Sequence, residues 1–329
     1  MAGQTVVVLG GGTGGLVVAN LLGRSIGEDN RVVLVDRRAD HLYQPSFPWL
    51  MMGRRSVKQI TRPLSRLEKK NVEVLQDEVQ GIDPDANEVR LADGGTLGYD
   101  YLVISLGLQT AYDNVPGAEG EANHCWEMGA AERAREDLER FNGGRFVVGI
   151  SSTPFRCPPA PYEVIWQVDD ILRQRQIRDK TEMIFFSPEP AAYGGGKTAT
   201  TWVTQRVEAR GVKMHWNFTP SEVDAGEKVV KNGGEEIPYD YLFMVPKHKP
   251  AQVLIDSGVA GPAGVDIEDT DRMTTRWPNI YAIGDATSAP LPKSGGMAHM
   301  GGDTVAHNIA SEIKGEEAGG FKQFRPQGL

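Results

Sequence analysis

Two cysteines occur in the 329 residues, Cys125 and Cys157, and Cys157 lies in the stretch "PFRCPPAPYE", Pro154 to Glu163. That stretch follows an apolar strand signal, "RFVVGI", and leads into "PYEVIWQVDDILRQRQ", where Val164, Val168, Ile171 and Leu172 share one face at helical spacing. Arg173, Arg175 and Arg178 gather toward the far end, where cations suit the helix dipole. Prolines suit the first turn, whose amides have no partner inside the helix. Cys157 therefore stands just before a helix N-terminus and beside Arg156, and both neighbours favour thiolate, the nucleophilic form. A thiol placed in this way can do sulfur chemistry; the alternative is a packed structural thiol. Cys125 lies between His124 and Trp126, which are compatible with packing as well as with reactivity. Two cysteines exclude a disulfide scaffold, and in a reducing compartment such a pair is more often catalytic than structural. The histidines form no Cys/His cluster, and His299 and His307, eight residues apart, lack metal-chelating spacing, so no metal is expected.

The elements that must position these cysteines repeat along the chain. "EVQGIDPDANEVRLADGGTLGYDYLVISLG" from Glu78 and "EVDAGEKVVKNGGEEIPYDYLFMVP" from Glu222 each show short alternating segments broken by turn residues, then "YDYL" opening an apolar strand. The two "YDYL" runs start at Tyr99 and Tyr239, an offset of 140, and the same offset carries Val6 of "TVVVLG" onto Phe146 of "RFVVGI". A duplicated nucleotide-binding half explains both. The expectation is an α/β chain of two tandem Rossmann-like domains, each with a β-meander. Residues 1–112 and 247–329 form the first, and 113–246 the second.

The first half carries a complete dinucleotide signal. Gly10, Gly12 and Gly15 of "VVVLGGGTGGLVVANLL" have G-x-G-x-x-G spacing between strand and helix, and "RVVLVD" ends on Asp36, 21 residues after Gly15. The first glycine permits a tight turn, the second lets the backbone approach a pyrophosphate, and the third allows close helix–strand packing. The acid suits ribose hydroxyls. In the second half, the 140 offset puts Ile150, Ser152 and Phe155 at the glycine positions; aligning Gly149 with Gly10 gives Ser151 and Pro154 for the other two. Neither register restores the loop, and "EMIFFS" ends on Ser187 instead of an acid, so a nicotinamide cofactor is not expected there. "AAYGGGKT", Ala191 to Thr198, imitates a phosphate-binding loop but has Ala191 where glycine is required.

A formal charge of −9, from 35 basic and 44 acidic side chains, argues against a nucleic-acid partner. The N-terminus enters a strand directly with no secretory signal, and no apolar run reaches the roughly 18 residues of a membrane span. The expectation is a cytoplasmic chain, with attachment to a membrane surface and a homo-oligomer left open.

Near the C-terminus, "NIYAIGD" reads as a short strand, followed by a loop and a helix from about Gly296 to Ile313. With "GGGTGG" and "YDYLVISLG", the segment "IYAIGDA" resembles the two-dinucleotide-domain flavoproteins of the glutathione-reductase-like fold. "HLYQPSFPWLMMGRR", "NHCWEMGAAERA", "RCPPAPYE" and "PLPKSGGMAHM" narrow the resemblance to sulfide:quinone oxidoreductases and the flavocytochrome sulfide dehydrogenases. This resemblance implies FAD as cofactor, with sulfide and a quinone as reactants. It implies three catalytic residues, Cys157 carrying sulfur at the flavin, Cys125 as an auxiliary cysteine and Lys293 at the flavin edge, and it implies that Lys293 and Asp285 bind the flavin, with His41 placed nearby. It extends the cofactor-binding set from Gly10, Gly12, Gly15 and Asp36 to Gly14, Arg37, Val79, Gly107, Gly284 and Gly295. Family members also carry a third cysteine and amphipathic helices in a C-terminal segment, and this sequence ends at "GGFKQFRPQGL", where that segment is expected to begin. The competing readings are an NADH:quinone or ferredoxin-type reductase on the same fold and a flavin-bearing sensor without catalysis.

Overall fold

The computed structural model describes residues 3–192 and 196–318; three residues of "AAYGGGKT" and all of "GGFKQFRPQGL" lie outside the described residues. The chain forms two compact units. The first takes the described residues up to Tyr43, Thr61–Gln109 and those from Lys249 onward, and the second takes Gln44–Ile60 and Thr110–His248.

The first unit is built on a parallel five-stranded sheet ordered Ile280–Ala282, Tyr101–Ile104, Thr5–Leu9, Arg31–Asp36, Val72–Gln76. Its central strand, "TVVVL", is an apolar run because both faces are covered. Val6 and Val8 pack with Val18 and Leu22 of the helix Thr13–Ser25 and with Val305 and Ile309 of the helix Gly295–Lys314. Val7 and Leu9 pack on the other side with Ile82 and Val89 of an antiparallel meander, Val79–Asp83, Glu88–Leu91 and Thr96–Gly98.

The second unit repeats this plan with a parallel sheet ordered Lys213–Trp216, Thr181–Ser187, Gly144–Ile150, Tyr241–Val245 and a meander of Glu222–Asp224, Val229–Lys231 and Glu236–Pro238. The 140-residue repeat has a direct structural cause. Val6 pairs with Tyr101 in one sheet and Phe146 with Tyr241 in the other. The Asp of each "YDYL" accepts an N–H at the start of the first strand of its own unit: Asp100 from Thr5 at 2.7 Å and Asp240 from Arg145, the second residue of its strand, at 2.7 Å. The motif thus fixes the register of its strand against the first strand of the unit.

Two expectations need correction. Residues 1–112 are not one block, because Gln44–Ile60 joins the second unit, where the short helix Phe47–Met51 buries Phe47, Leu50 and Met51 and packs on the helix Met128–Arg140. The chain passes between units after Gln109 and after His248, not after 112 and 246. The helix following Cys157 runs Ala160–Gln174, so Arg178 lies beyond it. The arginines there do not serve the helix dipole alone. Arg173 and Arg178 bind the buried carboxylate of Asp169, and Arg175 donates to the Leu138 and Glu139 carbonyls. Among the described residues no helix is long and apolar enough to cross a membrane.

Candidate functional site

In the first unit, the strand Thr5–Leu9 turns into the helix Thr13–Ser25 through the three glycines. Gly10 has φ +97°, and a Cβ there would lie 2.5 Å from the Ser105 carbonyl oxygen; a Cβ on Gly15 would lie 1.9 Å from the Gly10 carbonyl oxygen. Turn and packing therefore each require glycine. Gly14 is buried between the Ile283 side chain and the final helix, whose Gly302 approaches the Gly14 carbonyl. Gly12 differs, since a Cβ there would meet nothing within 4 Å. It is the N-cap of the helix but offers no side-chain acceptor, and the first turn holds no acid. Amides at such an end attract an anion.

The rest of the loop is braced from both sides. Asp36 ends its strand 9% exposed and accepts the Gly11 N–H at 2.7 Å and the Arg38 N–H at 2.8 Å. The Nδ1 of His41 lies 2.8 Å from the Gly11 carbonyl oxygen. Arg37 is exposed and pairs with Glu78 at 3.5 Å, and the buried Val79 opens the meander. Gly107 has φ +66° and open space where a Cβ would stand. Gly284 and Asp285 form a single turn after Ile280–Ala282, and a Cβ on Gly284 would crowd Ala298 at 2.9 Å. Lys293 donates to the Thr287 carbonyl; burial lowers its pKa, and the Asp285 charge opposes that shift. Gly295 starts the final helix, capped by Ser294, which accepts the Met297 N–H at 3.3 Å. An uncapped helix end behind open space at Gly12, with an acid held at the neighbouring strand end, fits a dinucleotide by the chemistry of its donors.

The second unit holds both cysteines. Gly149, the candidate counterpart of Gly10, sits inside its strand, and a Cβ there would run into the Phe186 ring at 1.9 Å; it is a packing glycine and not a turn glycine. The loop that follows carries Cys157, exposed and at φ +61°, a left-handed backbone that side-chain-bearing residues rarely adopt. Its carbonyl accepts the Ala160 N–H at 2.9 Å, which ties the cysteine to the first turn of the next helix. Arg156, expected to act on the thiol by its charge, directs its guanidinium to Gln44 Oε1 at 2.9 Å and to the Trp126 carbonyl at 2.7 Å.

Cys125 is 4% exposed, and no disulfide joins it to Cys157. Burial pushes its thiol pKa far up, and the charges of Cys157 and Glu163 push it further in the same direction. Burial also holds His124 at about 4, despite Glu127, and His248 at about 3, with Arg156 adding to both shifts. Three neighbours were not legible in the sequence: Glu163, His248, and Trp126 in its role as hydrogen-bond donor. An acid in a first helical turn ordinarily has a low pKa, but burial raises that of Glu163 despite its bonds to Trp49 and Gln167.

A family model described as pyridine nucleotide-disulphide oxidoreductase matches residues 4–153 and 168–307. The chain belongs to this family. Within it, the chain is 30% identical over 335 residues to the sulfide-quinone reductase of Aquifex aeolicus, covering 94% of this chain and 76% of that protein. It is 28% identical over 302 residues to the mitochondrial sulfide:quinone oxidoreductase of Mus musculus, covering 88% and 67%. The X-ray structure of the Aquifex aeolicus sulfide:quinone oxidoreductase superposes with a TM-score of 0.86 at 28% identity, over 95% of this chain and 77% of that one. The family member described here is a flavoprotein oxidoreductase of the sulfide:quinone oxidoreductase type.

Proposed function

We propose that the protein oxidises sulfide with FAD as its cofactor and a quinone as electron acceptor, and that Cys157 is the group that carries the sulfur. The observation that supports this most is the Cys157 turn. Where the first unit keeps a glycine loop for a phosphate, the second unit presents an exposed thiol on left-handed backbone tied to a helix start. That exposure lets a small anion reach the sulfur. At the thiol, HS⁻ and Cys157 form a persulfide S–S bond, releasing two electrons and one proton, and a second HS⁻ then takes the outer sulfur as polysulfide, HS₂⁻, which returns the thiol. Two electrons and two protons convert the quinone to its hydroquinone. FAD, when bound, supplies the two-electron acceptor between these half-reactions.

The residues proposed to hold FAD are Gly10, Gly12, Gly14, Gly15, Asp36, Arg37, Val79 and Gly107 for its nucleotide and Gly284, Asp285, Lys293 and Gly295 for its isoalloxazine and ribityl parts. Cys125, buried and held as a neutral thiol, acts as an auxiliary group and not as the first nucleophile. Anaerobic addition of sulfide is expected to bleach the visible flavin band of the purified holoprotein, and Cys157→Ser is expected to abolish that response. Bleaching by NADH with none by sulfide would overturn the proposal.

A further inference from the structure

The backbones beside the two cysteines are joined by reciprocal hydrogen bonds. The indole Nε1–H of Trp126 donates to the Arg156 carbonyl at 2.7 Å, and the Arg156 guanidinium donates back to the Trp126 carbonyl at 2.7 Å. Each partner is the chain neighbour of a cysteine: Trp126 of Cys125, and Arg156 of Cys157. The indole is 5% exposed and set in a nest of rings, with Phe155 at 6.4 Å, Phe243 at 5.9 Å and His248 at 5.8 Å between centroids. A third bond, from the same guanidinium to Gln44, ties in the segment Gln44–Ile60.

These contacts fix Phe155 and Arg156 on one side of Cys157, and the bond from Ala160 to the Cys157 carbonyl fixes the other side. Between the two anchors, Cys157 takes the φ +61° conformation. Such backbone costs free energy and persists only where its surroundings over-determine it. The clip is well suited to that task because both bonds are short, one is charge-assisted, and the indole donor has no rotamer freedom left in its nest.

We propose that Trp126 and Arg156 are positioning residues for Cys157, a role that rests on the reading of Cys157 as the sulfur carrier. Together they hold its exposed thiol on the turn that leads into the helix Ala160–Gln174. The fork of Arg156 matters here more than its charge, since one nitrogen holds Trp126 while the other holds Gln44.

The test is the rate at which iodoacetamide alkylates Cys157 in the holoprotein, followed by mass spectrometry of the labelled peptide. Trp126→Phe removes the indole N–H and keeps an aromatic ring, and Arg156→Lys keeps the charge and removes the fork. Each is expected to slow alkylation about tenfold, part of the roughly hundredfold that a ~1 Å misplacement of a reacting group can cost. The double variant is expected to be little slower than either single variant, because one device has been broken twice. Arg156→Gln is expected to match Arg156→Lys. Wild-type rates in both single variants, full rescue by lysine relative to glutamine, or additive losses would each overturn the clip. The sulfide assay separates the two proposals. Slowed alkylation in Trp126→Phe, together with a Cys157→Ser protein still bleached by sulfide, would support the clip and overturn the sulfur-carrier reading. Unchanged alkylation with bleaching lost in Cys157→Ser would do the reverse.

Discussion

Gly12→Ala and Gly15→Ala are the same chemical change three residues apart, and the structure separates their consequences. At Gly12 the backbone is extended, φ −71° and ψ −168°, which alanine adopts freely, and the new methyl meets no protein atom within 4 Å. Folding should change by no more than about 1 kcal/mol, the usual cost of alanine at an N-cap. The methyl instead occupies the space in front of the uncapped amides, where a pyrophosphate would approach. FAD affinity is expected to fall by about ten- to a hundredfold, or about 1.4–2.8 kcal/mol. At Gly15 the methyl would lie 1.9 Å from the Gly10 carbonyl oxygen and 3.2 Å from Val8 Cγ1, so helix and strand must separate by about 1 Å to relieve it. Such overpacking costs about 1–3 kcal/mol of folding stability, and the same shift moves the loop itself. The assay is titration of deflavinated protein with FAD, read by quenching of flavin fluorescence, beside urea unfolding followed by circular dichroism. Gly12→Ala should lose affinity and keep its unfolding curve, whereas Gly15→Ala should lose both. Wild-type FAD affinity in Gly12→Ala, or equal stability of the two variants, would refute the assignment of these glycines.

Thiol labelling should discriminate sharply between the cysteines: at pH 8 iodoacetamide should modify exposed Cys157 about a hundredfold faster than Cys125, whose thiolate is suppressed by burial, and comparable native-state rates would contradict that placement. Asp169→Asn, which leaves Arg173 and Arg178 without their carboxylate, is expected to destabilise the protein by about 3 kcal/mol at pH 7 in denaturant melts. Burial alone would raise the Asp169 pKa, but its bonds to Arg173 and Arg178 win and lower it. A depressed folded pKa gives stability that is complete above the unfolded value of about 3.9 and is lost as pH falls through the lower folded value. The gap between wild type and variant should therefore close in acid, and a gap unchanged at pH 3 would disprove the linkage. Cys157→Ser should keep its bound flavin while losing the response to sulfide, as read by anaerobic absorbance; a variant that responds like wild type would remove Cys157 from the chemistry.

Much of the fold was legible because its signals are local or repeated. "GGGTGG" between an apolar strand and a helix states its turn within six residues, and Asp36 closes the next strand at the expected distance. The repeat was readable for a reason visible in the structure: Asp100 and Asp240 each cap the first strand of their own unit, which ties the motif to that strand at a constant spacing. The final helix, expected from about Gly296 to Ile313, runs Gly295–Lys314, because Ser294 caps it and Gly315 ends it at φ +71°.

Contacts between residues far apart in the chain set the rest. "QPSFPWLMMGRR" carries no mark of which unit its apolar residues will join, and its transfer to the second unit depends on a helix some eighty positions later. Arg156 reads in sequence as a charge beside a thiol. In the fold, bonds to residues 30 and 112 positions away turn its guanidinium into a brace. Glu163 reads as an ordinary first-turn acid, yet burial reverses the direction of its pKa shift. Spacing along the chain determined which residues could do chemistry, Cys157 above all. The packing around Trp126 decided the conformation in which that cysteine is held, because left-handed backbone at a residue with a side chain needs support from outside its own segment.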